Sequence, residues 1–337
     1  ARVACPVLVM HGENDGVVPP TEGRAFALAT GGTYTSIPEG THLPQARKPA
    51  VVNRHLQGFC ADVLGAGAPE PRPTPRRRRS HKRVLFVSSP IGLGHARRDL
   101  AIARSLRAHG PDVRVEWLTQ HPVTTMLERE GEELHPAHAA LAQESAHIES
   151  ESAEHDLHCF HSHRRMDEIL IHNFMVFQDV VDAGDFDLVV ADEAWDVDYF
   201  THEHPDLKRA PLAWLTDFVG FLPTVVGDRR ESELTADYNA EMVEHIAKHP
   251  TVRDRAIFVG NPDDVVADHF GPDLPAIRAW TEAHFDFAGY VTGFDPGELP
   301  ERAALRDELG YGPDERVCIV TVGGSGVGAT LLRRVID

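Results

Sequence analysis

Two apolar runs set about 230 residues apart each end in a glycine-rich turn and pass directly into a helical pattern. The first is Arg83-Val-Leu-Phe-Val-Ser-Ser-Pro-Ile-Gly-Leu-Gly-His95, followed by Ala-Arg-Arg-Asp-Leu-Ala. The second is Val317-Cys-Ile-Val-Thr-Val-Gly-Gly-Ser-Gly-Val-Gly328, followed by Ala-Thr-Leu-Leu. Each reads as a strand buried on both faces, a tight turn and a helix. Such a turn points backbone N–H groups at a helix N-terminus toward an anion or a sugar hydroxyl. Two of them predict two α/β domains across a cleft, with the second only begun before Asp337.

The 337 residues suffice for two domains and a sizeable core. No apolar run approaches the ~20 residues of a membrane span, and no signal peptide is visible, although the chain opens on Ala1. Cys5, Cys60, Cys159 and Cys318 are scattered without a CxxC pair, which argues against a disulfide framework or zinc ribbon and predicts a reducing, cytoplasmic location. The net charge of −19 is uneven. Residues 1–82 hold 11 Lys and Arg against 6 Asp and Glu, and the remainder 22 against 46. A body this acidic repels nucleic acid and anionic lipid over most of its surface. Peripheral membrane contact stays open.

Along the chain, residues 1–64 alternate strand (6–10, 32–37) and helix (21–30, 49–64). Residues 65–82 are rich in Pro and Arg, cannot pack a core, and read as a linker. A new domain starts at Arg83 and is expected to run to about residue 300. Its strand signals fall at 84–88, 113–119, 188–191, 212–215 and 257–259, with helical patterns between them. Strands alternating with helices predict a Rossmann-like, doubly wound parallel sheet. Residues 301–337 read as a linker with a short helix, then the first strand, loop and helix of the next domain.

Within the first unit, His11-Gly-Glu-Asn-Asp15 follows a strand and Gly40-Thr-His42 precedes a helix. This resembles the C-terminal part of an α/β-hydrolase domain. The resemblance implies that Asp15 is the acid that orients His42, the general base. In that fold the nucleophilic serine precedes both. Only 14 residues precede Asp15, and no G-x-S-x-G occurs in the sequence. The chain by itself is therefore not expected to run acyl transfer.

The stretch Ser88-Ser-Pro-Ile-Gly92-Leu-Gly94-His95, with Leu-Ala in the following helix, resembles the opening of the GT-B glycosyltransferases. Gly323-Gly324-Ser325-Gly326-Val-Gly-Ala resembles the loop that opens the donor domain of the peptidoglycan N-acetylglucosaminyltransferase and its relatives. The resemblance covers roughly 83–337: an acceptor domain and the start of a donor domain. It implies transfer of a sugar from a nucleotide diphosphate sugar to the hydroxyl of a small-molecule or lipid-linked acceptor, with no cofactor and no metal. His95 would be the general base, oriented by Asp192 at the end of a strand, with Glu193 in reserve. Gly323, Gly324, Ser325 and Gly326 would cradle the diphosphate, and Gly92, Gly94 and Asp217 would lie on the acceptor side. Residues 214–223 carry aromatic side chains suited either to an apolar acceptor or to the core. Arg97 and Arg98 read either as exposed helix arginines or as phosphate contacts. The His-rich 155–163 matches no closed metal site and reads as an acceptor-side loop. Two rival readings stand beside this one: a hydrolase whose nucleophile lies upstream, and a carbohydrate- or lipid-binding module without catalysis.

Overall fold

A computed structural model describes residues 3–65, 81–144, 152–153, 156–157, 159–223, 227–321 and 329–336, with backbone alone for 152–165 and 329–331. Most of the expected linker (66–80), the loop Gly323–Gly326, His155 and His158 lie outside the described residues. The chain divides into two compact units, residues 1–75 with 203–207, and residues 76–202 with 208–337.

In the first unit, β1 (Leu8–Gly12) pairs in parallel with β2 (Thr33–Ile37), and Leu8 lies opposite Thr33. Between them runs α1 (Pro20–Thr30), stopped by Gly31 in the left-handed conformation (φ 69°) that a residue without Cβ adopts freely. The short helix α2 (Pro44–Arg47) and then α3 (Pro49–Leu64) follow. Ala27, Ile37, Ala50 and Val52 are the buried apolar side chains.

The second unit is built on seven strands: β3 (Lys82–Ser88), β4 (Val113–Leu118), β5 (Glu133–Leu134), β8 (Leu188–Asp192), β9 (Leu212–Thr216), β10 (Arg255–Phe258) and β11 (Asp286–Phe287). A two-residue antiparallel pair, β6 (Ser152–Ala153) and β7 (Asp156–Leu157), stands apart from this sheet. The seven strands lie in the order β5-β4-β3-β8-β9-β10-β11, and all neighbours are parallel. This is the Rossmann order, in which the chain winds outward from β3 in one direction, then returns to β8 and winds in the other. The helices are α4 (Leu93–His109), α5 (Val123–Arg129), α6 (Cys159–Ala183), α7 (Trp195–Glu203), α8 (Arg229–Lys248), α9 (Ile277–His284), α10 (Arg302–Glu308) and α11 (Ala329–Ile336).

The central strands read as unbroken apolar runs because helices cover both faces of a parallel sheet. Val84, Leu85, Phe86 and Val87 of β3 are all buried. Phe86 stacks on Trp117 of β4 at 4.5 Å, and Ala96, Leu100 and Ala103 of α4 pack into the same core. Residues 317–321, expected as a strand, form none. They are exposed and have no ladder partner among the described residues, and a β-strand needs a neighbour to satisfy its backbone groups. Among the described residues no helix is long and apolar enough to cross a membrane.

Candidate functional site

The sheet changes direction between β3 and β8, where Ser88 ends one strand and its registered partner Asp192 ends the other. In open α/β sheets the crevice outside the strand ends at this point is where ligands bind. The turn after β3 delivers α4, whose N-terminus at Gly92 has no side-chain cap. Gly92 is extended (φ −158°) and Gly94 has open space where a Cβ would be, so this end of the helix stays uncovered. His95 lies in the first turn of α4, and Arg98 one turn on shares its face.

These two side chains meet the carboxylates that end β8. His95 Nδ1 lies 3.3 Å from Asp192 Oδ2, and its Nε2 lies 3.5 Å from Glu193 Oε2. Arg98 grips Asp192 with both Nε (3.0 Å) and a terminal nitrogen, and its other terminal nitrogen donates to Asp217 at 2.6 Å. Sequence reasoning offered Arg98 as an exposed arginine or a phosphate contact. It is not an exposed arginine: only 8% is exposed, and it donates to Asp192 and Asp217, whereas Arg97 is exposed. The acids left at the strand ends needed a buried cation, and the residue three positions after His95 was placed to supply it.

The electrostatics separate two adjacent carboxylates. Burial would raise Asp192, but hydrogen bonds from His95 and Arg98 outweigh it and hold the carboxyl below its ordinary value. Burial raises Glu193 to about 7, only partly offset by His95. Burial would lower His95, yet the bond to Asp192 and the charge of Glu193 leave its proton affinity raised. Asp99 is fully buried and accepts from the Ser88 hydroxyl, and burial together with the nearby Asp192 charge pushes its carboxyl well above the ordinary value.

Behind Glu193 lies a cavity of about 20 Å³, room for one water-sized group. Its wall includes Ser88, Thr119, Gln120, Glu144, Glu193 and Asp196. Gln120 and Asn173 donate to Glu144 at 3.0 and 2.8 Å. Burial raises the Glu144 carboxyl, and burial together with the Glu144 charge raises Asp196 to about 8. No sequence signal pointed to Glu144 or Asp196 as part of the site.

His95, Glu193 and Asp217 approach closely enough to converge on a cation. The Arg98 guanidinium, 2.6 Å from Asp217 and 3.7 Å from Glu193, already occupies that role. Of the aromatic stretch, Trp214 is core, in contact with Trp195 at 5.1 Å, while Phe218 remains 39% exposed next to Asp217.

In the first unit the structure brings Asp15 and His42 together, with Nδ1 at 3.1 Å from Oδ2. Burial would raise Asp15, but the Val18 and Val17 N–H groups and His42 hold it at about 2. His11, which sequence reasoning quoted but did not assign, also reaches Asp15 at 3.1 Å.

No protein-family model and no curated protein matches the chain. Solved structures with a similar outline include the glycosyltransferase of kitacinnamycin (15% identity, TM-score 0.37) and the calicheamicin glycosyltransferase CalG4 (16%, TM-score 0.38), each match covering 66% of this chain and 55% of theirs. The Acinetobacter baumannii MurG structure matches at 14% identity and TM-score 0.31, covering 53% of this chain and 42% of its own. The chain thus spans about half the length of the structures it matches.

Proposed function

We propose that the second unit is the acceptor-binding half of a GT-B glycosyltransferase, moving a sugar from a nucleotide diphosphate sugar to an acceptor hydroxyl. The observation that carries this reading is the His95–Asp192 contact where the strand order reverses, which brings the start of α4 to the end of β8. In the reading, His95 takes the acceptor proton, and Asp192 holds the Nδ1–H and stabilises the imidazolium that forms. Arg98 fixes Asp192, and Phe218 offers apolar surface to a small-molecule or lipid-linked acceptor. The loop Gly323–Gly326 would cradle the diphosphate leaving group through backbone N–H groups.

The test is transfer from radiolabelled UDP-, dTDP- and GDP-hexoses to a panel of hydroxyl acceptors by the chain and its His95→Ala variant. The expected result is weak or absent transfer by the chain itself, and any transfer seen falls by about 10²–10⁴-fold in H95A. Transfer unchanged in H95A overturns the reading.

The Asp15–His42 pair favours a second activity. Its geometry is that of a hydrolase acid and base, for which a serine would come from sequence preceding Ala1. A fluorophosphonate probe is expected to leave the chain itself unlabelled, and serine labelling that depends on His42 would contradict this.

A further inference from the structure

Glu193 is the one residue shared by the cavity and the His95 cluster. It follows β8 with φ 47°, in the left-handed region that a glutamate seldom adopts. Its Oε1 accepts from the Thr216 hydroxyl (3.2 Å) and the Asp217 N–H (3.1 Å), which fixes the carboxyl. Its Oε2 faces His95 Nε2 at 3.5 Å, and the same side chain lines the cavity. Among the described residues His95 and Asp192 are not part of the cavity wall. Both ring nitrogens of His95 face carboxylates, Nδ1 toward Asp192 and Nε2 toward Glu193, so a proton bound for Nε2 arrives by way of Glu193.

We propose that Glu193 is a further catalytic residue, passing the acceptor proton to His95. The proposal rests on the transferase reading. At the start His95 is neutral, with its proton on Nδ1 toward Asp192, and Glu193 is a carboxylate. The acceptor oxygen bonds to the anomeric carbon while the bond from that carbon to the diphosphate oxygen breaks, and the electron pair leaves with the diphosphate. The acceptor proton moves to Glu193 and on to His95 Nε2. His95 ends as imidazolium between two carboxylates, and Glu193 ends as it began. The 3.5 Å contact must shorten for the transfer, as catalytic hydrogen bonds commonly do when substrate binds.

The charged groups around the ring come from every side. Asp192 and Glu193 face it from the end of β8, Arg98 from its own helix, and Asp217 from the end of β9. Arg98 engages both oxygens of Asp192, so Asp192 is already compensated, and Glu193 is the carboxylate that exchanges a proton with the ring.

The experiment follows the ring nitrogens of His95 by NMR in the ¹⁵N-histidine-labelled chain between about pH 5 and 9, where an unperturbed histidine titrates. The expected result is that Nε2 titrates while Nδ1 keeps its proton. Glu193→Gln lowers the midpoint by about 1 unit, the effect of removing an opposite charge within 4–6 Å. Glu193→Asp, one methylene shorter, falls between, and guards against a glutamine variant that does not fold. Asp196→Asn, altered at the cavity wall, shifts the midpoint by under about 0.3 unit, since Asp196 is not among the ring's neighbours. A midpoint that neither E193Q nor E193D moves overturns the proposal, whatever H95A does to transfer. Where transfer is measurable, E193Q lowers kcat at unchanged KM and flattens the pH profile near neutrality, and an unchanged kcat also overturns it. Coupling of the pair together with transfer that H95A leaves unchanged sinks the transferase reading and leaves a proton-sharing pair with no transfer to serve.

Discussion

Replacing Arg98 with Met removes the one buried guanidinium at the switch point and keeps most of the side-chain volume. Asp192 is fully buried and loses two hydrogen bonds on both of its oxygens. Stripping one partner from a buried ion pair costs about 3–5 kcal/mol, because the remaining charge stays out of water without compensation. The Asp217 arm adds at most about 1 kcal/mol, since that carboxylate is 45% exposed and solvent screens it. His95 stays beside Asp192 and offsets part of the loss, so about 3 kcal/mol is expected. For a unit of this size that is a fall in Tm of about 6–12 °C. Tryptophan fluorescence reads the right unit, because Trp117, Trp195, Trp214 and Trp280 all lie in the second. The loss should depend on pH with a defined sign. Asp192 has a depressed folded pKa, so its stabilisation is present above the unfolded value and disappears as pH falls. The gap between wild type and R98M is therefore at full width from about pH 5 upward and narrows below about pH 4. The double variant R98M/D192N, with both charges gone, should recover most of the lost Tm. A fall below about 2 °C, or a double variant no better than R98M, refutes the claim that a buried charge pair holds this corner together.

Three further predictions follow from the same packing and charge arguments. Asp196 is raised to about 8 from an unfolded value of 3.8, so the native state binds an extra proton between those pH values and loses stability as pH rises through them; Asp196→Asn should match wild-type Tm at pH 4 and exceed it at about pH 8.5, and a constant gap would contradict the assignment. Asn239, fully buried, donates to the Phe221 and Phe270 carbonyls at 2.8 and 2.7 Å and accepts from the Phe221 N–H at 2.8 Å; Asn239→Ala orphans three buried backbone groups and should cost about 3 kcal/mol, read as a fall in denaturation midpoint. A Cβ at Gly12 would stand 2.1 Å from the Thr41 carbonyl oxygen, a backbone atom that cannot swing aside; Gly12→Ala should displace the adjoining His42 from Asp15, seen as a change in the His42 ring shifts, and wild-type shifts would show that the turn absorbs the clash.

What the sequence revealed follows the range over which each signal acts. The strands β3, β8 and β9 were legible because a strand buried on both faces must be apolar along its length, whereas β4 alternates Val113, Val115 and Trp117 with Arg114 and Glu116. The two-residue edge strands β5 and β11 were not, since two residues carry no periodicity. Residues 317–321 have the composition of a buried strand, yet composition alone cannot supply the neighbour that a ladder needs. That His95 and Asp192 come together was legible because one opens the helix after β3 and the other ends β8. Arg98 was misread, although its place three residues after His95 put it on the same helix face, toward acids already singled out. Glu144 and Asp196 acquire their roles from the cavity, through Gln120 and Asn173 on other elements, and nothing local to either residue announces that.

Asp192 and Glu193 are consecutive residues of one acid chemistry, and the fold drives them apart. Asp192 is the last ladder residue of β8, opposite Ser88, and falls within reach of both Arg98 and His95. One residue later the backbone turns into the left-handed region, and Glu193 is held by neutral donors, the Thr216 hydroxyl and the Asp217 N–H. Neutral donors satisfy an oxygen without cancelling a charge, so burial dominates for Glu193, whereas the bonds from His95 and Arg98 together outweigh burial for Asp192. If Asp192, Glu193 and Asp217 were all ionised beside Arg98 and a neutral His95, three negative charges would face one positive charge in a largely buried cluster. The cluster relieves that imbalance by taking up a proton, since burial raises Glu193 to about 7 and the neighbouring carboxylates raise His95. In the proposed transfer the base is free once that proton has left, and the acceptor's proton takes its place.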